Sequence, residues 1–214
     1  RYHMIEVKFP CLITTLAELN TPRYMSVAGI FDAYKKEIKV MNYADIKKVD
    51  VANGEGVRVS LFVSGCNHHC KGCFNEIAWN FKYGKEFTQD TVDEIIQDLN
   101  HDYVEGLSLL GGEPLEPENQ EALAKLVTKV KEKYPNKNIW CYTGFDFEKD
   151  IMPECKTSAV TKQLISNIDV IVDGKFDESK MDRKLKFRGS SNQRIIDVKE
   201  TLHDNAIKMV KFTD

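Results

Sequence analysis

Ser60-Leu61-Phe62-Val63-Ser64-Gly65-Cys66-Asn67-His68-His69-Cys70-Lys71-Gly72-Cys73-Phe74-Asn75 decides how the rest of the chain is read. A short apolar run ends in glycine, and three cysteines follow at the spacing C-x3-C-x2-C. Residues 57–63 are rich in β-branched and apolar side chains. They are bounded by the permissive turn Asn53-Gly54-Glu55-Gly56 and by Gly65, which is the pattern of a buried strand. A strand therefore delivers a loop in which three thiols can converge on one centre, and no fourth cysteine lies nearby to close the set.

Working outward, Thr88 is a good N-cap for a helix whose Val92, Ile95, Ile96 and Leu99 recur on one face. Residues 104–110 read as a second strand, ending in Gly111-Gly112-Glu113-Pro114. A longer helix is expected over about 118–134, with Leu123, Leu126, Val127 and Val130 on one face and Pro135 as its stop. A third strand, 139–142, ends at Thr143-Gly144. A helix near 161–165 leads to a fourth strand, 170–172, ending at Asp173-Gly174. Residues 46–51 read as a short lead-in, and 194–212 as a tail with two apolar patches, Ile195-Ile196 and Met209-Val210. Alternating strands and helices predict βαβ units and an α/β fold on a parallel sheet. Ligands in such folds bind at the C-terminal strand ends, where every predicted strand carries a small or polar group. Residues 41–214 fall short of the ~250 residues of a full eight-stranded barrel. The expectation is a partial, open β/α barrel of parallel strands with a short N-terminal appendage.

The chain has 214 residues, 42% hydrophobic and 29% charged, which suits one ordinary globular domain and an appendage. Its apolar runs are far shorter than the ~20 residues of a membrane span, and residues 1–9 carry no signal-peptide pattern. Net charge is -3 with a pI near 6.0. Lys and Arg look scattered, so no nucleic-acid footprint is expected. Of the six cysteines, Cys11, Cys141 and Cys155 are isolated and three are clustered. That distribution reads as a metal or redox site in a reducing compartment, and a soluble, cytoplasmic protein is expected.

A seam divides the chain near residue 40. Residues 1–40 hold six Lys/Arg against four Asp/Glu, and the remainder is net acidic. Met41-Asn42-Tyr43 has the form of a translation start, whereas Arg1 does not. Ile5-Glu6-Val7-Lys8-Phe9-Pro10-Cys11-Leu12-Ile13-Thr14, followed by Asn20-Thr21-Pro22-Arg23-Tyr24-Met25-Ser26, resembles the C-terminal region of the electron-transfer flavoprotein beta subunit. In that family this stretch leads into a loop that docks dehydrogenases. The family's nucleotide-binding portion is missing here, so 1–40 is expected to be a fragment without independent activity and 41–214 the working domain.

Three chemistries compete for the cysteines. A structural zinc site wants four ligands, commonly in two separated pairs; here the second pair is missing, and His68 or His69 as a fourth ligand would strain the wrap. A redox C-x-x-C at Cys70-Lys71-Gly72-Cys73 leaves Cys66 without a role. An iron-sulfur cubane suits the spacing better, because one loop can present three thiolates to three corners and leave the fourth iron free to bind something else.

With Gly111-Gly112-Glu113-Pro114 after the next strand, the three-cysteine loop resembles the radical S-adenosylmethionine superfamily. Most of that superfamily places an aromatic residue before the third cysteine. Here Gly72 stands there, and Cys66 to Asn75 is similar to one branch, the activating proteins of anaerobic ribonucleoside-triphosphate reductases. Asn53-Gly54-Glu55-Gly56-Val57-Arg58, Trp140-Cys141-Tyr142-Thr143-Gly144 and Phe187-Arg188-Gly189-Ser190-Ser191-Asn192-Gln193-Arg194 add to the resemblance, which runs from Met41 to at least Asp197.

The resemblance implies an open barrel of the radical SAM type. It implies a 4Fe-4S cluster held by Cys66, Cys70 and Cys73, whose free iron chelates the amino and carboxylate groups of S-adenosyl-L-methionine. Gly111 and Gly112 would let the backbone approach the methionyl part, with Glu113 and Pro114 beside the amino group. Gly72, Cys73 and Phe74 would border the adenosyl end, and Thr143, Asp173 and Lys175 stand at later strand ends as further contacts. His68 and His69 are expected as exposed loop residues, and Arg188 to Arg194 as either a docking face or a solvated turn. The implied reaction begins with reduction of the cluster by a flavodoxin or ferredoxin. Cleavage of the cofactor to methionine and a 5′-deoxyadenosyl radical follows. That radical takes hydrogen from a glycine of the large subunit of the anaerobic (class III) reductase. An activase for another glycyl-radical enzyme, such as pyruvate formate-lyase, and a non-catalytic iron-sulfur electron carrier are the alternatives.

Overall fold

A computed structural model describes residues 40–212; the flavoprotein-like reading of residues 1–40 falls, but for Val40, outside the described residues. The strands are β1 (Asn42–Asp50), β2 (Val57–Val63), β3 (Lys85–Glu86), β4 (Val104–Gly111), β5 (Asn138–Tyr142), β6 (Val170–Asp173) and β7 (Arg194–Asp197). The α-helices are α1 (Gln89–Asp98), α2 (Pro117–Lys133), α3 (Met152–Thr157), α4 (Ala159–Asn167) and α5 (Val198–Asp204). Helix α1 starts where the sequence places it: the Thr88 backbone N–H donates to Thr91 Oγ1 at 3.3 Å, tying the N-cap to the first turn. Pro117 opens α2 at a position where its missing N–H costs nothing.

One seven-stranded sheet has the order β3-β1-β2-β4-β5-β6-β7. The central four strands are parallel, with Leu61 opposite Leu109, Ser108 opposite Trp140 and Cys141 opposite Ile171. The expectation of parallel strands alone needs correcting at both edges. The lead-in is a nine-residue strand, β1, antiparallel to β2, and the apolar tail contributes β7, antiparallel to β6. The sheet is open, since the terminal strands β3 and β7 do not pair with each other.

Alternation along each strand sorts side chains to two faces. Val59, Leu61, Val63, Leu107, Leu109, Ile139, Cys141 and Ile171 join one core cluster with Ile95, Ile96 and Leu99 around α1, with Leu123, Leu126, Val127 and Val130 of α2, and with Leu164 and Ile165 of α4. Each such aliphatic side chain contributes about 1.5–3 kcal/mol by leaving water. The opposite face carries Arg58, Ser60, Ser108, Trp140, Tyr142 and Val172. There Trp140, Val170, Val172 and Ile195 form a smaller cluster with Tyr142, Phe187, Val210 and Phe212 packed on it. Ile195 and Ile196 enter different clusters, as neighbours on a strand must. Among the described residues no helix is long and apolar enough to cross a membrane.

Candidate active site

Parallel pairing of β2 with β4 sets the cysteine loop beside the Gly-Gly-Glu-Pro loop, and β5 and β6 bring their C-terminal ends next in order. A cavity of about 390 Å³ opens there. Its walls include Cys66, Cys70, Cys73, Phe74, Gly111, Gly112, Glu113 and Thr143. Gly72, Pro114, Asp173 and Lys175 are not on the walls.

Backbone hydrogen bonds hold the cysteine loop. Gly65 and Cys66 donate to the carbonyls of Ala78 and Trp79 at 2.7 and 3.1 Å. Across the junction, Gly112 N–H donates to Val63 O at 2.7 Å and Glu113 N–H to Gly65 O at 2.8 Å. This approach demands glycine: a Cβ on residue 112 would stand 2.6 Å from Gly65 O, and Gly111 sits at φ +106°, a region L side chains avoid. Asn119 adds a buried brace, its Nδ2 donating to Ser64 O and Glu113 O.

Two carboxylates lock the loops further. Glu116, buried, accepts from Asn67 N–H at 2.8 Å and from Asn67 Nδ2 at 3.0 Å, clamping the residue that follows Cys66. Glu113 is 1% exposed. Its Oε1 accepts from Leu115 N–H, while Oε2 accepts from Gly144 N–H at 2.7 Å and lies 2.9 Å from His68 Nε2. One side chain thus joins the loops after β2, β4 and β5. His68 is therefore not the exposed loop residue the sequence suggests: its side chain is 9% exposed, lies edge-on to Phe145 and lines the cavity. His69 is exposed as expected, at φ +46° and edge-on to Trp79. Sequence reading missed the roles of His68 and Glu116. The second glutamate of Gly111-Gly112-Glu113-Pro114-Leu115-Glu116 and a histidine two residues from Cys66 were the available signals.

The later strand ends divide the work. Thr143 N–H bonds to Val172 O, and its hydroxyl accepts from Phe145 N–H, so it caps the end of β5 while facing the cavity. Asp173, 1% exposed, receives Arg194 Nε and Nη2 at 3.0 and 2.5 Å and Phe147 N–H at 2.9 Å. Its carboxylate is consumed in tying β6 to β7. These bonds hold the Arg194 guanidinium well above its usual pKa.

The sheet beneath the cavity is polar at its centre. Arg58 is fully buried; it donates to Ser108 Oγ, Asn138 Oδ1, Leu107 O, Asn138 O and Glu55 O, and stacks 5.4 Å from the Trp140 ring. Burial pushes its pKa down to about 10, so it stays charged at neutral pH. Tyr142 lines the cavity, and its buried hydroxyl has no partner among the described residues.

The donor set suits an iron-sulfur cluster. Cys66, Cys70 and Cys73 are free thiols, the first buried and the others half-buried on one cavity wall. Soft thiolates select such clusters. Burial pushes the Cys66 thiol up to about 11, and a bound metal favours the thiolate.

A family model described as a 4Fe-4S single cluster domain matches residues 52–196, which places the chain among proteins with one such cluster. The activating protein of the anaerobic ribonucleoside-triphosphate reductase from Enterobacteria phage T4 is 44% identical over 155 residues, covering 72% of this chain and 93% of the relative. Its namesakes from Vibrio cholerae and Escherichia coli K12 are 44% and 42% identical, each over 72% of this chain and 97% and 96% of their own lengths. The chain belongs to the family of anaerobic ribonucleoside-triphosphate reductase-activating proteins. Nothing in these matches supports the flavoprotein resemblance read in residues 1–40.

Proposed function

We propose that this protein activates an anaerobic (class III) ribonucleoside-triphosphate reductase by placing a glycyl radical on its large subunit. Cys66, Cys70 and Cys73 hold a 4Fe-4S cluster, and S-adenosyl-L-methionine occupies the adjoining cavity of an open barrel of the radical SAM type. When bound, cluster and cofactor together supply a hydrogen-abstracting adenosyl radical at the expense of one electron from a flavodoxin or ferredoxin.

The chain's own residues seat and shield that chemistry. Gly111 and Gly112 let the backbone come close to the cofactor's methionyl part. Glu113, with Pro114 behind it, fixes the loops that border the amino group. Phe74 forms the rim at the adenosyl end, Gly72 lets the cysteine loop turn at φ +74° beside Glu178, Thr143 contributes a wall, and Asp173 positions the end of β6 through Arg194. The observation that carries this reading is the single cavity that three free thiols share with the Gly-Gly-Glu turn, in a chain of this family.

Anaerobic reconstitution with iron and sulfide, followed by dithionite and S-adenosylmethionine, is expected to release 5′-deoxyadenosine. Reversible reduction of a full cluster without that product would instead identify an electron carrier. A radical formed only on pyruvate formate-lyase would reassign the target.

A further inference from the structure

Five of the nine residues 180–188 are Lys or Arg and one is Asp, in a chain whose net charge is -3. This stretch is the one concentrated departure from the scattered basic residues of the rest of the chain, and it borders the cavity. Leu185, Phe187 and Arg188 line the cavity wall, while Arg183, Lys184 and Lys186 are exposed. Lys180 pairs with Asp177 and Arg188 donates to Gln193 O, so those two charges are spent on residues that flank this strap. Arg183, Lys184 and Lys186 have no carboxylate partner among the described residues.

The strap is fastened rather than loose. Phe187 sits at φ +55°, packs edge-on against Trp140 at 5.4 Å and lies 5.6 Å from the Phe212 ring. Gln193 Oε1 accepts from Gly189 and Ser190 N–H, and a bridge joins Met181 to Ser190. On the cysteine side, Lys71 pairs with Glu178 at 3.2 Å. The strap therefore adjoins the cysteine loop, where Phe74 is 93% exposed beside the cavity and Ile77 is 59% exposed. Phe74 on the cysteine loop and Leu185, Phe187 and Arg188 on the strap line the same cavity, so three exposed cations on one edge and an exposed aromatic side chain on the other have the composition of a charged rim with an apolar anchor.

We propose that Arg183, Lys184 and Lys186, with Phe74 as apolar anchor, form the docking edge for an acidic surface on the protein whose glycine enters the cavity. This inference rests on the reading of the protein as an activase. An electron donor needs only to come near the cluster, whereas a protein substrate must be held at the mouth while its backbone enters. The strap flanks that mouth.

The test uses the full chain with its cluster reconstituted anaerobically, comparing wild type with the triple variants R183E/K184E/K186E and R183Q/K184Q/K186Q. Affinity for the purified anaerobic reductase is measured from about 50 to about 300 mM salt, a range over which exposed charges become strongly screened. Dithionite-driven S-adenosylmethionine cleavage without partner is measured in parallel. The expected result is a roughly ten-fold or larger loss of affinity in the charge-reversal variant, a smaller loss in the glutamine variant, a salt dependence shallower than wild type's in both, and unchanged cleavage. Unchanged reductase affinity in the charge-reversal variant would overturn the docking edge. So would a defect confined to reduction by flavodoxin or ferredoxin, or displacement of the reductase by an unrelated oligonucleotide. Failure of wild type to bind the reductase at all would instead sink the activase reading on which the docking edge rests.

Discussion

On the helix-covered face of the sheet, Val59, Leu61, Leu107, Leu109, Ile139 and Ile171 are buried among other apolar side chains. On the opposite face the same strands carry Arg58, Ser60, Ser108 and Tyr142, and the polar groups there need individual partners. Arg58 finds five oxygen acceptors, whereas the Tyr142 hydroxyl finds none among the described residues. One face holds the fold together by burial, which is tolerant and non-directional. The other gives up part of that stabilisation to keep a shaped, polar cavity at the strand ends. Stability and the shape of the cavity floor are thus assigned to alternate residues of single strands, and substitutions on opposite faces should separate them.

The largest separation is expected at the cysteines. Alanine at Cys66, Cys70 or Cys73 should abolish cluster assembly, read as loss of iron content and visible absorbance, while far-ultraviolet circular dichroism stays that of the folded chain. Leu61→Ala acts on the helix-covered face of β2, the strand that leads into the cysteine loop. It should cost about 2–5 kcal/mol in denaturant unfolding through the cavity it leaves, with cluster content per folded molecule unchanged. Iron loss in that variant beyond its unfolded fraction would show that the two faces are not independent.

Glu116→Ala should have an intermediate effect. Removing the acceptor of Asn67 N–H and Nδ2 costs about 1–3 kcal/mol, and it should hasten loss of iron to a chelator because the cysteine loop loses its clamp. Tyr142→Phe should move stability least. Deleting an unpartnered buried hydroxyl should leave the apo protein within about 1 kcal/mol of wild type. A larger loss would mean the hydroxyl already has a partner.

Local patterns made much of this legible. Residues 57–63 coincide with β2, Thr88 does begin a helix, and Leu123, Leu126, Val127 and Val130 are the buried stripe of α2. Strand β1 was harder to read, because Asn42–Asp50 is mostly polar and forms near the sheet edge, where period-2 alternation is weak. The burial of His68 and the clamp from Glu116 rest on contacts between residues 45 and 49 positions apart. No window along the sequence contains both partners. The three cysteines were legible because a single loop carries them all. Asp173, read as a strand-end contact, is tied to Arg194 by the antiparallel return of β7, a pairing the sequence did not reveal.

The most direct test of the central claim is electron paramagnetic resonance of the purified anaerobic reductase after incubation with the reconstituted protein, S-adenosylmethionine and reductant. A glycyl-radical signal that requires all three components and disappears with Cys66→Ala is the predicted result. A cluster that cleaves S-adenosylmethionine yet leaves the reductase without a radical would contradict it.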